Sequence, residues 1–150
     1  GMTTRQYVTK HEGREYMPYK CPAGRWTIGV GHNYQDNPLP HDIDLYLRQN
    51  GKILDEHIDR LLAIDLIRAV SDCKKIFSNW DALSPVRQMA LTDMCFQLGG
   101  AGLRKFKKMI LCIEHEAWDD AARQILNSLY ATQTPQRARE NAELIKGELK

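Results

Sequence analysis

Glu12-Gly13-Arg14-Glu15-Tyr16-Met17-Pro18-Tyr19-Lys20-Cys21-Pro22-Ala23-Gly24-Arg25-Trp26-Thr27-Ile28-Gly29-Val30-Gly31-His32 is the stretch on which the fold turns. Pro18, Pro22, Gly24, Gly29 and Gly31 punctuate it, and Arg25–Val30 is rich in strand-forming residues. The spacing predicts a hairpin or three-stranded sheet over Tyr16–Tyr34, with a turn at Pro22-Ala23-Gly24. Gly29 and Gly31 flank Val30 and permit positive φ or close backbone approach. This pair of glycines is not a dinucleotide fingerprint, because no helix start follows and the third glycine is absent.

Outside this stretch the texture is helical. Residues 5–12 predict one short helix that Gly13 stops. Residues 35–51, with Asp36, Asn37, Pro38, Pro40, Asn50 and Gly51, read as an irregular connection. From Asp55 to Phe77, Ile58, Leu61, Leu62, Ile64, Leu66, Ile67 and Val70 recur at helical spacing. Ser84-Pro85 is a cap followed by proline in the first turn, and it opens a helix that Gly99-Gly100 ends. Further helices are predicted over Leu103–His115, with Phe106, Ile110, Leu111 and Ile113 on the apolar side, and over Trp118–Leu129. Thr134-Pro135 repeats the start signal for a last helix towards Leu149. The fold class expected is α+β, mainly helical, with no βαβ alternation. A helical body beside a small β element makes a cleft, where ligand sites concentrate.

Composition narrows the function. The 150 residues suit one compact domain. They are 43% hydrophobic, 27% charged and 8% aromatic, with net charge +2. That balance argues against disorder and gives no basic excess for nucleic acid. No apolar run is long enough for a membrane span. Gly1–Gln6 lacks the apolar core of a signal peptide. Cys21, Cys73, Cys95 and Cys112 show no metal-binding spacing, and free thiols are expected for all but the special case of Cys21. No metal or cofactor is implied. Trp26 alternates with Thr27 and is expected to pack in the core, as are Trp80 and Trp118. His11, His41, His57 and His115 have no ligand spacing. Arg104, Lys105, Lys107 and Lys108 form a cluster that reads as a solvated face, or as an attraction to an anionic wall. Glu12, at a helix end before the β stretch, is placed to act as a proton donor.

The motifs closely resemble those of the phage-type lysozymes, or endolysins, of glycoside hydrolase family 24. That family has a Glu-Gly start, a Thr-Ile-Gly-x-Gly-His strand, and a triad of Glu, eight residues, Asp or Cys, five residues, Thr. Glu12, Cys21 and Thr27 fall on that spacing. Met94-Cys95-Phe96-Gln97-Leu98-Gly99, Trp118-Asp119-Asp120-Ala121-Ala122 and Gln133-Thr134-Pro135-Gln136-Arg137-Ala138 continue the resemblance in the family's order. It implies a two-lobed lysozyme-like fold in a single domain. A β-containing lobe would cover about 13–54, a connecting helix about 55–77, and a helical lobe about 78–150 together with the N-terminal helix.

The resemblance also implies a reaction. The substrate would be bacterial peptidoglycan, cut at the β-1,4 bond between N-acetylmuramic acid and N-acetylglucosamine. Glu12 would protonate the leaving oxygen, and Thr27 would hold the attacking water. Cys21 stands where much of the family has a carboxylate, and would act as base, nucleophile or filler. Phe96, Gln97, Tyr130 and Thr132 match substrate-cleft positions, with Gln97 best suited to an acetamido group. His32 and Asp65 match an ion pair, and Arg137 matches an arginine behind the catalytic glutamate. A monomer is expected, made in a bacterial host's cytoplasm and acting on the wall after release through a membrane-pore partner. The alternatives are a lytic transglycosylase using Glu12 alone, a non-catalytic wall-binding module, and a peptidase using Cys21 and His32.

Overall fold

The computed structural model describes residues 1–147. The chain forms two compact units, one of Val8–Ile67 and the other of Gly1–Tyr7 with the chain from Arg68 on. Two helices contribute residues to both: α1 (Thr4–Glu12) and α3 (Asp55–Ile76).

The Val8–Ile67 unit holds the sheet. Gly13, at φ +79°, ends α1, and its N–H donates to Thr9 O at 2.8 Å. Strands β1 (Glu15–Lys20), β2 (Trp26–Gly29) and β3 (His32–Asn33) form an antiparallel sheet in that order. Tyr19 pairs with Thr27, Thr27 with Asn33, and Ile28 with His32. The β1–β2 turn closes where Gly24 N donates to Cys21 O at 2.8 Å and Cys21 N to Arg25 O at 3.0 Å. Proline at the second turn position and glycine at the fourth suit that geometry.

Two expectations are corrected in this unit. Residues 41–50 are not irregular: they form α2 (His41–Asn50). The prolines and glycine taken as loop signals bound the helix instead. Pro40 precedes it, Asp42 and Asp44 occupy its first turn, and Gly51 at φ +72° caps its end. Only Ile43 of α2 is buried, so the helix shows no apolar period. Trp26 is not in the core: its side chain is 43% exposed, and Lys20 Nζ sits 5.2 Å from its ring centroid.

Val8, Ile28, Val30, Ile43, Ile53, Ile58, Leu61 and Leu62 form the unit's apolar interior. Polar ties fasten its parts. Arg14 reaches Asp55 and Asp59, each at 2.9 Å, and the Tyr16 hydroxyl also donates to Asp55. His57, which no sequence pattern marks, is buried, and its Nδ1 accepts the Leu54 N–H at 3.1 Å at the start of α3. His32 has both ring nitrogens against oxygens: Nδ1 lies 2.6 Å from Asp65 Oδ2, and Nε2 lies 2.9 Å from Asn37 O.

The other unit is helical. A 3-10 turn at Trp80–Ala82 leads to α4 (Pro85–Arg104), capped by Ser84, whose Oγ accepts the Arg87 N–H. Gly99 breaks α4 at φ 75°, ψ 163°, but the helix resumes and runs to Arg104. Leu103 and Arg104 therefore finish α4, and α5 is Lys107–Glu114, shorter than the expected Leu103–His115. Met109 and Ile113 are its fully buried residues, while Leu111 is 57% exposed, against expectation. The predicted Trp118–Leu129 helix is two elements, α6 (Trp118–Leu126) and α7 (Leu129–Gln133), because Ser128 accepts the Ala131 N–H and starts a new turn. The last helix, α8 (Pro135–Lys146), ends on Gly147 at φ +83°. The expected continuation to Leu149 lies outside the described residues. Thr134 does not cap α8 with its side chain. Its hydroxyl donates backwards to Tyr130 O at 3.2 Å. The core gathers Leu91, Met94, Leu103, Met109, Ile113, Ile125 and Ile145 around Ala90, Ala121, Ala122 and Ala138. Trp80 is buried in this core, and Trp118 packs partly buried against it. No helix among the described residues is long and apolar enough to cross a membrane.

Asp65→Asn removes a carboxylate from a nearly buried pair, whose side chains are 4% and 11% exposed. It is expected to lower unfolding free energy by about 1.5–3 kcal/mol, measured by urea denaturation at neutral pH.

Candidate active site

The sheet unit assembles the three residues of the triad spacing. Glu12 is the last residue of α1 and half-buried. Its carboxylate lies over Gly31, where a Cβ would stand 2.6 Å from Oε1 and 2.8 Å from Cδ. Gly31 has φ +61°, a conformation that side chains resist. Two independent demands, space and backbone angle, thus both select glycine at position 31.

Thr27 is buried in the middle strand. Its hydroxyl has one proton and two acceptors within reach, Arg25 O at 2.9 Å and the Cys21 sulfur. The oxygen keeps lone pairs with which to accept a hydrogen bond from water.

Cys21 is a free, partly exposed thiol at the start of the β1–β2 turn. Burial acts to push it up. Hydrogen bonds from the backbone at Arg25 and Ala23 and from the Thr27 hydroxyl outweigh that and hold it below the ordinary thiol range. Lys20, its neighbour, lies over Trp26 and is not among the groups that lower it.

Tyr19 belongs to no motif read in the sequence. Register places it opposite Thr27, on the same sheet face. Its hydroxyl is pushed above the usual phenol range, first by burial, then by the charges of Glu12, Glu15 and Cys21. It is therefore a neutral group within electrostatic range of Glu12 and Cys21. The strand alternation of residues 19, 21 and 27 was the available signal.

The other candidates lie in the helical unit, except His32 and Asp65, which pair within the sheet unit. Gln97 of α4 donates from Nε2 to Thr134 Oγ1 at 3.4 Å, while its buried Oε1 has no partner among the described residues. Phe96 is partly buried and Thr132 is exposed. Tyr130 is only 4% exposed and offers little ring face for stacking on a sugar. It packs edge-on to Phe106 at 6.1 Å. Arg137 is buried and held bidentately by Asp93. A groove of about 590 Å³ is lined by Leu98, Phe106, Leu129 and Tyr130, with Lys105, Lys107 and Lys108 beside them.

The phage lysozyme family model matches residues 9–140, nearly the whole chain. The chain belongs to the phage lysozyme family. It is 32% identical to a probable T4-type lysozyme 2 of Dictyostelium discoideum, over 85% of this chain and 84% of that protein. A probable T4-type lysozyme 1 of the same organism is 28% identical over the same shares. The pre-baseplate central spike protein Gp5 of Enterobacteria phage T4 is 26% identical over 91% of this chain, though this covers 26% of the spike protein. Family membership supports a lysozyme-type cell-wall hydrolase and implies peptidoglycan as its substrate. The mainly helical lysozyme-like α+β fold agrees with it.

Two outcomes follow from the geometry. Gly31→Ala forces the Glu12 carboxylate to move, so wall-clearing activity is expected to fall about 100-fold, against a stability cost of about 1–2 kcal/mol. Turbidity and denaturation assays on the same preparation separate the two. Iodoacetamide labelling of Cys21, followed by mass spectrometry, is expected to titrate at a lower pH than a free peptide thiol, because the folded chain favours its thiolate.

Proposed function

We propose that this phage lysozyme family member is a muramidase that cleaves the β-1,4 bond between N-acetylmuramic acid and N-acetylglucosamine, leading to bacterial cell-wall lysis. The observation that carries the reading is the placement of Glu12 against Gly31, in the same small unit as the Thr27 hydroxyl and the Cys21 thiol.

Glu12 donates its proton to the glycosidic oxygen as the bond to the anomeric carbon breaks, and the bonding electrons leave with that oxygen. Positive charge develops on the sugar ring. A water bound to Thr27 attacks the anomeric carbon. Cys21, held towards its thiolate, takes the water's proton. Thr27 thereby fixes where the water stands, which lowers the entropic part of the barrier. Tyr19 supplies a neutral hydroxyl on the same face. Gln97 contributes an acceptor oxygen that an acetamido N–H would satisfy, since a buried unpaired carbonyl is costly. Delivery from a host cytoplasm through a pore-forming partner belongs to the same reading.

One alternative has an observation in its favour. Cys21 in place of a carboxylate suits a lytic transglycosylase, in which Glu12 acts alone and the muramyl 6-hydroxyl replaces water. The Cys–His peptidase has none: both ring nitrogens of His32 are engaged by Asp65 and Asn37 O.

Glu12→Gln keeps the shape of the side chain and removes the transferable proton. Release of reducing sugar from purified walls is expected to fall by about 100- to 10,000-fold, with the unfolding midpoint little changed. Equal rates in the two proteins would overturn the proposal.

A further inference from the structure

The helical unit buries a connected set of polar side chains that no sequence motif announced. Asp93 of α4 has no exposed surface. Arg137 of α8 donates to it twice, from Nε to Oδ2 at 2.8 Å and from Nη2 to Oδ1 at 2.7 Å. Asn141, one turn further along α8, is also fully buried. Its Nδ2 donates to Asp93 Oδ2 at 3.0 Å and to the Tyr130 hydroxyl at 2.9 Å. Its Oδ1 accepts from the Tyr7 hydroxyl at 2.7 Å.

Both amide hydrogens and the oxygen of Asn141 are therefore engaged, and the amide has one orientation. Turning it over would set its oxygen against the Asp93 carboxylate. Tyr7 stays a donor, because burial, then the charges of Asp93 and Glu140, push its hydroxyl far above the phenol range.

A set like this is poorly explained by stability. Buried ion pairs recover little more than their desolvation cost, and apolar replacements of similar volume often do as well. What the set does is fix orientation. Two of its members, Arg137 and Tyr130, are candidate site residues. A third is reached through the backbone: Thr134 Oγ1 donates to Tyr130 O at 3.2 Å and accepts from Gln97 Nε2 at 3.4 Å. Hydrogen bonds thus run from Asp93 through Asn141 to the Tyr130 hydroxyl and, after the covalent span of Tyr130, from its carbonyl through Thr134 to Gln97.

We propose that Asp93 and Asn141 are positioning residues of the hydrolase. Asp93 holds the guanidinium plane of Arg137. Asn141 transmits that fixed point to Tyr130 and, through it, to the Gln97 amide. The inference rests on the muramidase reading and goes beyond it, since neither residue lies in a family motif quoted above. The bidentate pair with Asp93 fixes the Arg137 plane, and rotating the guanidinium out of that fork would displace its nitrogens by about an ångström or more.

The test is steady-state kinetics on soluble wall fragments, with melting curves on the same samples. Asp93→Asn puts an N–H donor against donors of Arg137 or Asn141. It is expected to lower kcat about 100-fold and to raise KM about tenfold, at a temperature where the variant is fully folded. Adding Arg137→Lys to Asp93→Asn is expected to cost little more than either change alone, because the two residues act as one unit. A folded Asp93→Asn with wild-type kcat and KM overturns the proposal. So does a strictly multiplicative double variant. If Asp93→Asn does not fold, Tyr130→Phe reads the same path: the ring stays, the Asn141 contact goes, and KM is expected to rise about tenfold. An unchanged KM there overturns the proposal. Wild-type protein that releases no reducing sugar sinks the muramidase reading and this one with it. An active wild type beside equally active variants sinks this one alone.

Discussion

Glu12 can occupy its place only because residue 31 has no side chain. The approach of its Oε1 leaves no room for a methyl group, and the backbone there has φ +61°. Everything proposed for the chemistry depends on that contact. It links the end of α1 to the loop between β2 and β3, and so brings a carboxylate from a helix to a sheet that carries a hydroxyl and a thiol. The sheet's own register does the rest. Pairing Tyr19 with Thr27 puts a phenol beside the threonine, and the Cys21–Arg25 turn aims backbone N–H groups at the sulfur. Those local hydrogen bonds favour the thiolate, the form in which the thiol can act as a base where a carboxylate would otherwise stand.

Much of this was legible because it is local. The Gly13 stop, the Pro22–Gly24 turn and the glycines around Val30 each act within a few residues of themselves, and the structure uses each of them. The long α3 was legible from its apolar period. Where the reading failed, the cause was weak amphipathicity or competing signals. The α2 helix buries one residue, so its boundaries, rich in proline, asparagine and glycine, outweighed its interior. Gly99 does break the helix, as its sequence suggests, but the chain returns to helical angles after it and runs on to Arg104. Alternation placed Trp26 opposite Thr27 and stopped there. It could not show that this second face lies open to solvent under the Lys20 side chain.

The buried polar set around Asp93 was illegible for a different reason. Its members, Tyr7, Asp93, Tyr130, Arg137 and Asn141, come from α1, α4, α7 and α8, and only tertiary packing brings them together. Arg137 lies in a recognisable motif; Asp93 and Asn141 sit in helix interiors with nothing to mark them. A buried carboxylate satisfied by an arginine and an amide is invisible to periodicity, yet it determines the orientation of residues that motifs do reveal. The sheet unit shows the same division of labour in His32, whose two nitrogens are both committed to structure.

The most direct measurement is the mass of the sugar ends released from purified peptidoglycan digested in heavy-oxygen water. The account predicts a reducing N-acetylmuramic acid carrying one heavy oxygen at its anomeric carbon, from the water that Thr27 holds. An anhydro end, lighter by one water and unlabelled, would contradict it, as would label found only on newly freed peptide carboxylates.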